Sequence, residues 1–181
     1  MMRDVLESDV EKMVGFFSEE VAQPNILSEH RNSDYVRRMV NRVAHYLKTI
    51  PYSDRNHLSY AVIEKNSGAL IGTCSISLRS GKNAAKLGWH FSSSFSSRGY
   101  ATESAVKLLE VGFNRWNIDS VYADCFGKNI ASIRVFEKSG LSLKTDISFW
   151  RLKSALYYLK LSPVVRYEIK RPLFAGFPQP N

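Results

Sequence analysis

The chain has 181 residues, 44% of them hydrophobic and 23% charged, and its formal net charge is +8 with a pI of about 9.5. This composition is typical of one globular domain that is large enough to bury a core without staples. No apolar run reaches the roughly 18 residues of a membrane span, and the first residues are mixed and acidic, so we expect neither a transmembrane helix nor a secretory signal. The positive charge favours an anionic partner such as a nucleotide, a phosphorylated cofactor, a ribosome or a nucleic acid.

The two cysteines predict a reduced, cytoplasmic protein. Cys74 and Cys125 each lie inside an apolar, strand-like run, without CxxC spacing and without a nearby histidine in the sequence. Buried free thiols are the interpretation that fits this pattern. We therefore expect neither a disulfide framework nor a metal site.

The first half of the chain predicts two helices followed by a three-stranded meander. Apolar residues recur at helical period over residues 8–18 and 33–48, with a polar loop over 21–32 between them. Alternating apolar residues separated by turn residues predict three strands, over residues 58–65, 69–79 and 85–92.

The second half predicts a strand–helix–strand unit and two late strands. We expect a helix over 101–115, a strand over 119–126, and a short helix that ends near Gly140 as its C-cap. Further strands are predicted over residues 141–149 and 164–170. Residues 150–163 fit either a helical turn or part of a long hairpin, and residues 172–181, with three prolines, predict an extended tail.

This order of elements predicts a single mixed α/β domain over residues 1–171. Its central sheet has six to seven mostly antiparallel strands, flanked by about four helices. The helix that links the meander to the next strand predicts one parallel strand pair. Ligands of such sheets bind at the carboxyl ends of the strands.

A polar turn centred on Gly99 leads directly into the helix over 101–115. A turn of this kind presents unpaired backbone N–H groups at the positive end of the helix dipole, where a phosphate binds well. One such turn is a weak signal alone, because most loops before helices bind nothing. Thr102 is expected to cap the helix, and Arg98 adds a fixed positive charge.

Two motifs in the predicted order resemble the GNAT superfamily of acetyl-CoA-dependent N-acetyltransferases. They read RGYATES from residue 98 and N-x-x-S-x-x-V-F-E-K-x-G-L from residue 129. The chain is most similar to the branch that includes the ribosomal-protein N-terminal alanine/serine acetyltransferases, and the resemblance covers residues 3–170. It implies transfer of the acetyl group of acetyl-CoA to a primary amine, either a protein N-terminal α-amine or a small-molecule amine.

The resemblance also assigns residues to acetyl-CoA. The acetyl-CoA loop falls on Ser96, Ser97, Arg98, Gly99, Tyr100, Ala101 and Thr102, and the contacts to the pantetheine arm on Asn129 and Ser132. Phe91 and Phe136 are also expected to contact the cofactor. Two of these positions depart from the family. Ser96 stands where the family has Gln or Arg, and Phe136 stands where many members have a tyrosine that acts as general acid.

Catalytic candidates are few. The resemblance implies that Ser132 helps the CoA thiolate to leave. The structural alternative is that Asn129 is only a helix cap and Ser132 only a polar residue of the first helical turn. His90 is a candidate base or relay, and the alternative is a strand histidine paired with a neighbour. Glu64 and Asp124 are the next candidates, each with the alternative of an ordinary surface acid.

Two other functions stay open at this point. Ser96, Phe136 and the lack of a clear base are also typical of a CoA- or acyl-CoA-binding module without transferase activity. The net charge alone would suit a basic ribosome- or nucleic-acid-associated protein, but no nucleic-acid motif appears, so nucleic acid is not an expected partner. The resemblance implies that the acceptor is set by the loop over 21–32 and by the late strands with the segment 150–163, which are the least patterned regions of this chain.

Overall fold

The structure is a computed structural model that describes residues 1–18, 32–144 and 164–174. Its described part contains four α-helices, α1 Val10–Ser18, α2 Ser33–Thr49, α3 Tyr100–Trp116 and α4 Ile130–Lys138. Its seven strands are β1 Met2–Asp4, β2 His57–Ile63, β3 Leu70–Leu78, β4 Ala84–Phe91, β5 Ser120–Phe126, β6 Ser142–Leu143 and β7 Val164–Lys170.

The strands form one sheet in the order β1-β2-β3-β4-β5-β7-β6. The described pairings β1/β2, β2/β3, β5/β7 and β6/β7 are antiparallel, while β4 and β5 are parallel over residues 84–86. Helix α3 connects these two strands, as a parallel pair requires. The predicted mixed α/β fold with a parallel pair is therefore confirmed.

The chain divides into two compact units, one made of residues 1–77 and 88–104, the other of residues 78–87 and 105 onward. In the first unit α1 and α2 pack together through an apolar cluster. Its buried members are Val5, Val10, Met13, Val14, Phe16, Phe17, Val36, Val40, Ala44, Leu47, Ala61 and Leu70. Burial of this many aliphatic and aromatic side chains is the main stabilising contribution in the unit.

In the second unit β5 pairs with β7 over all seven residues, from Ser120 with Lys170 to Phe126 with Val164. Helix α4 ends at Lys138 with Ser139 as its C-cap, so the prediction that Gly140 is the C-cap is wrong by one residue. Gly140 is the next residue, and its φ of 84° is in the left-handed region that glycine tolerates best. The Leu141 N–H then donates to the Phe136 carbonyl at 2.9 Å, which closes the helix end.

Most predicted elements are confirmed within two or three residues at each end. The first helix differs slightly, because its first turn is a 3₁₀ turn over Glu7–Asp9. Of the strand predicted over 141–149, Ser142–Leu143 is a strand, and residues 145–149 lie outside the described residues. The loop over 21–31 and the segment 150–163 also lie outside them.

The proposed extended tail is described only at its start. Arg171–Leu173 forms one 3₁₀ turn, and residues 175–181 lie outside the described part. The Arg171 guanidinium donates to the carbonyls of Phe113 and Ile118, at 2.6 and 2.9 Å. This residue therefore fastens the end of β7 to the end of α3 within the second unit.

Both cysteines are free thiols, as predicted, with Cys74 buried and Cys125 half-buried. Burial raises the pKa of each thiol to about 12, so neither is a ready nucleophile at neutral pH. None of the described helices has the length and hydropathy of a membrane-spanning helix.

Candidate functional site

The predicted phosphate loop is exposed and has an alternating backbone. Ser96, Ser97, Arg98 and Gly99 are all exposed. Ser97 and Gly99 have left-handed φ angles of 62° and 86°, and Arg98 between them does not. Left-handed residues are found in turns that direct successive N–H groups toward one side, which is how such turns bind anions.

Helix α3 begins directly behind this loop, at Tyr100. The first bond of the helix runs from the Glu103 N–H to the Gly99 carbonyl at 3.0 Å. The N–H groups of the preceding residues have no intrahelical acceptor and lie at the positive end of the helix dipole. The loop and the helix start therefore offer an anion several N–H donors within five or six residues.

The prediction that Thr102 caps this helix is wrong. Thr102 is the third residue of α3, half-buried in its first turn. The left-handed φ of Gly99 lets the chain enter the helix at Tyr100, one residue before the predicted start. Gly99 is therefore the residue whose carbonyl starts the helix.

Side chains of the first unit hold both ends of this loop. The Arg98 guanidinium lies over the Phe95 ring, 5.2 Å from its centroid. The Tyr100 hydroxyl donates to Glu64 Oε1 at 3.2 Å, across 36 residues of sequence. The sequence contained no signal for this Glu64–Tyr100 contact, because it depends on how the β2–β3 turn meets the start of α3.

Phe91 and His90 end strand β4, and each packs on another element of the first unit. The Phe91 ring lies against Gly72 of β3. His90 Nε2 donates to the Phe16 carbonyl at 2.9 Å, and its ring stacks on Phe17 with centroids 4.2 Å apart. Because Nε2 donates to a carbonyl, it carries the proton of the neutral ring. A neutral His90 would therefore accept a second proton at Nδ1.

In the second unit, Asn129 and Ser132 form the start of α4. Asn129 is the N-cap, and its side-chain oxygen accepts a hydrogen bond from the Ser132 N–H at 3.1 Å. The structural alternative for this pair is thus present in the structure. It uses only the backbone of Ser132, and the hydroxyl of this half-buried residue takes no part in the cap.

Phe136 is part of the core of the second unit. Its side chain is only 2% exposed, and its ring packs on that of Tyr167 with centroids 5.2 Å apart. A ligand would reach little of this side chain. We predicted that Phe136 contacts the cofactor, but the structure leaves this side chain little exposed surface for such a contact.

The two carboxylates that were considered as bases are both engaged. Asp124 accepts a two-pronged hydrogen bond from Arg166, at 2.7 and 3.0 Å, and pairs with Lys86 at 3.1 Å. Hydrogen bonds from the Ser67 hydroxyl and N–H lower the pKa of Glu64, with smaller contributions from Tyr100 and Arg98. The lowered pKa makes Glu64 a weak proton acceptor, and Asp124 is occupied by Arg166 and Lys86, so neither acid is suited to general-base catalysis.

Within the described residues no three His, Cys, Asp or Glu side chains gather in a way that would hold a metal ion.

A family model and several known proteins match this chain. A family model described as an acetyltransferase (GNAT) domain matches residues 1–142. An uncharacterized N-acetyltransferase of Bacillus subtilis, YnaD, is 34% identical over 86 residues, which are 48% of this chain and 51% of that protein. The match thus spans about half the length of that relative.

Solved structures share the fold across nearly the whole chain. A GNAT-family acetyltransferase from Bacillus anthracis is 21% identical with a TM-score of 0.75, and 93% of each chain is covered. A ribosomal-protein-S5-alanine acetyltransferase from Vibrio fischeri is 14% identical with a TM-score of 0.69, covering 98% of this chain and 94% of that one. At these identities the likeness concerns the fold alone.

Proposed function

Because the chain belongs to the GNAT acetyltransferase family, we propose that it transfers the acetyl group of acetyl-CoA directly to a primary amine. The observation that carries this proposal is the exposed loop of residues 96–99, with its alternating backbone, directly before α3. A pyrophosphate is the anion that such a loop binds best, since several N–H donors converge on it.

The residues of the loop suit acetyl-CoA. Backbone N–H groups of residues 97–101 hold the pyrophosphate, and the Arg98 guanidinium supplies a positive charge beside it. Ser96 replaces the side chain that the family usually has at this position, but backbone donors do not depend on it. Acetyl-CoA, when bound, supplies the acetyl group as a reactive thioester.

The transfer joins the amine nitrogen to the thioester carbonyl carbon and breaks the bond from that carbon to sulfur. The amine nitrogen gives one proton to solvent water, and the CoA thiolate takes one from a hydroxyl that regains it from solvent, so that CoA leaves as a thiol. We assign Ser132 to this second proton, because its hydroxyl is not used by the Asn129 cap and the residue is half-buried at the start of α4.

The acceptor that this chain suits best is an N-terminal α-amine. An α-amine has a pKa of about 7.7–8.0, so about a tenth of it is neutral at pH 7, whereas a lysine-type amine with a pKa of about 10.4 needs a base. Glu64 and Asp124, the two carboxylates considered as bases, are already engaged. A net charge of +8 also repels a polycationic acceptor such as a polyamine.

The partners of the chain are therefore acetyl-CoA and an amine at a peptide N-terminus, with a small amine as the second acceptor class. The free thiols of Cys74 and Cys125 fit a reducing compartment, and we propose that the protein works in the cytoplasm.

A turnover screen tests the proposal. Release of free CoA thiol is measured with peptides that begin with Ser, Ala or Thr, with spermidine and with an aminoglycoside. We expect release that depends on one peptide class. Binding of CoA in calorimetry with no turnover for any amine would instead support a CoA-binding module, and no binding at high micromolar CoA would contradict both.

A matched pair of glycine variants tests the loop. Gly99→Ala strains a residue at φ 86°, and Gly81→Ala strains a distant turn residue at φ 69°, and neither site has an atom within 4 Å of the added methyl group. We expect Gly99→Ala to weaken CoA binding at least tenfold and Gly81→Ala to leave it unchanged. Equal CoA affinity in both variants would contradict the assignment of the loop.

A further inference from the structure

The contact between Glu64 and Tyr100 joins two parts of the first unit that have different roles. Glu64 directly follows β2 and opens the β2–β3 turn, whereas Tyr100 is the first residue of α3, directly behind the loop 96–99. The Tyr100 hydroxyl donates to Glu64 Oε1 at 3.2 Å. The hairpin turn is thus hydrogen-bonded to the helix start that follows the proposed phosphate loop.

The carboxylate is itself fixed by the turn. Glu64 Oε2 accepts hydrogen bonds from the N–H of Ser67, at 2.9 Å, and from the Ser67 hydroxyl. The turn is closed by a bond from the Gly68 N–H to the Glu64 carbonyl at 3.0 Å, with Gly68 at a left-handed φ of 66°. Because one oxygen is held by Ser67, the other is presented to Tyr100 in a defined place.

The aromatic side of the contact is fixed as well. The rings of Tyr100 and Phe95 lie with their centroids 6.5 Å apart, and Phe95 in turn carries the Arg98 guanidinium on its face. The Arg98 charge also helps to keep Glu64 ionised, after the larger effect of the Ser67 hydrogen bonds on its pKa. Phe95 and Tyr100 thus flank the exposed loop, Arg98 within the loop packs on Phe95, and Glu64 anchors the end at Tyr100.

We infer that Glu64 and Tyr100 are positioning residues, which hold the loop 96–99 in its anion-binding shape and so set the affinity for the pyrophosphate part of acetyl-CoA. This inference rests on the proposed function. Neither residue takes part in the transfer of the acetyl group. Loss of the contact is therefore expected to raise the KM for acetyl-CoA and to leave kcat nearly unchanged.

Tyr100→Phe is the first test, since it removes one hydroxyl and keeps the ring on Phe95. We expect the KM for acetyl-CoA and the calorimetric Kd for CoA to rise at least fivefold, with kcat within twofold. Acetyl-pantetheine, which has the thioester but no pyrophosphate, reports on the remaining site, so its kcat/KM should not change. A KM for acetyl-CoA within twofold of the parent would overturn the inference.

A double-mutant cycle with Glu64→Ala tests whether the two residues act together. We expect Tyr100→Phe to have no further effect on CoA affinity once Glu64 is alanine. Full additivity of the two effects would contradict a shared role.

Tyr46→Phe is the matched control, because it also removes a hydrogen-bonded tyrosine hydroxyl of the same unit. The Tyr46 hydroxyl donates to Asn56 Oδ1 and accepts from the Asn56 N–H, each at 3.0 Å. The variant should lower stability without raising the Kd for CoA. A similar rise in Kd would mean that Tyr100 acts through general destabilisation, which would overturn the inference. If the parent protein fails to bind CoA, the proposed function itself fails, whereas normal parent turnover with an unaffected Tyr100→Phe variant rejects only the positioning role.

Discussion

The ring of Phe91 lies so close to the backbone of Gly72 that no side chain fits at residue 72. A methyl group there would lie 2.4 Å from Phe91 Cδ1 and 2.7 Å from the His90 carbonyl oxygen. The second contact is with backbone, which cannot turn aside as a flexible side chain would. Glycine at residue 72 therefore decides how closely β3 and the end of β4 approach each other within the first unit.

Gly72→Ala is accordingly expected to destabilise the protein by about 1–3 kcal/mol, the usual cost of inserting a group into a packed site. Unfolding in urea, followed by fluorescence, measures the change in free energy. Gly15→Ala in α1 is the control, because that position has no atom within 4 Å and alanine favours a helix over glycine by about 0.5–1 kcal/mol. A Gly72→Ala variant as stable as Gly15→Ala would show that the two strands move apart freely.

His90 is expected to act mainly as a structural contact between β4 and α1. His90→Ala removes the bond to the Phe16 carbonyl and the stack on Phe17, so we expect a loss of about 1–3 kcal/mol in the free energy of unfolding. The kcat with the best acceptor of the screen should stay within tenfold, whereas loss of a general base costs about 10²–10⁴-fold.

His45→Ala, at an exposed position of α2, is the control for both measurements on His90. It should change neither stability nor kcat. A hundredfold loss of kcat in His90→Ala with unchanged stability would assign the role of base to His90 Nδ1 and contradict the structural role.

The burial of His57 predicts a pH-dependent stability. Burial lowers the pKa of this ring, whose Nδ1 is 2.6 Å from the Ser77 hydroxyl. As the pH falls below about 6.5, the unfolded chain therefore takes up the proton first, and the folded state loses stability. Urea unfolding at pH 7, 6 and 5 should show a smaller loss for His57→Gln than for the parent protein. Parallel losses in the two proteins would contradict this source of pH dependence, and His45→Gln should behave like the parent.

Features that depend on neighbouring residues were predictable from the sequence. Helical period gave α1 to α4, and the N-x-x-S spacing placed Asn129 as the cap of α4. Gly99 and Gly140 each marked a left-handed turn, which glycine adopts at little cost. These properties are local, and a single sequence contains them.

Contacts between distant parts of the chain were not predictable in the same way. The partner of His90 is 74 residues away, and Arg166 is 42 residues from Asp124, directly opposite it in the β5–β7 pair. Only the register of the β5–β7 pair brings these two residues together. Ser97, a non-glycine residue with a φ of 62°, also has no sequence signal, and it shapes the phosphate loop.

Asn129 is expected to contribute to stability as the N-cap of α4. Substitution of its side chain therefore tests the cap separately from the proposed role of Ser132 in catalysis. Asn129→Ala loses the hydrogen bond from the Ser132 N–H, so it should lower the free energy of unfolding by about 0.5–2 kcal/mol. Asn129→Asp keeps a capping oxygen and should restore stability. If Asn129→Ala unfolds at the same urea concentration as the parent, the cap does not stabilise the fold.

Ser132 offers the opposite expectation, because the cap uses its backbone and not its hydroxyl. Ser132→Ala should therefore leave the urea midpoint unchanged while lowering kcat for the best acceptor by about 10²-fold, the scale of one lost proton donor. Ser132→Thr keeps a hydroxyl on the same Cβ and should recover most of the rate. Should Ser132→Ala keep kcat within threefold, the leaving thiolate takes its proton from another source, and the serine is a first-turn polar residue of α4 and nothing more.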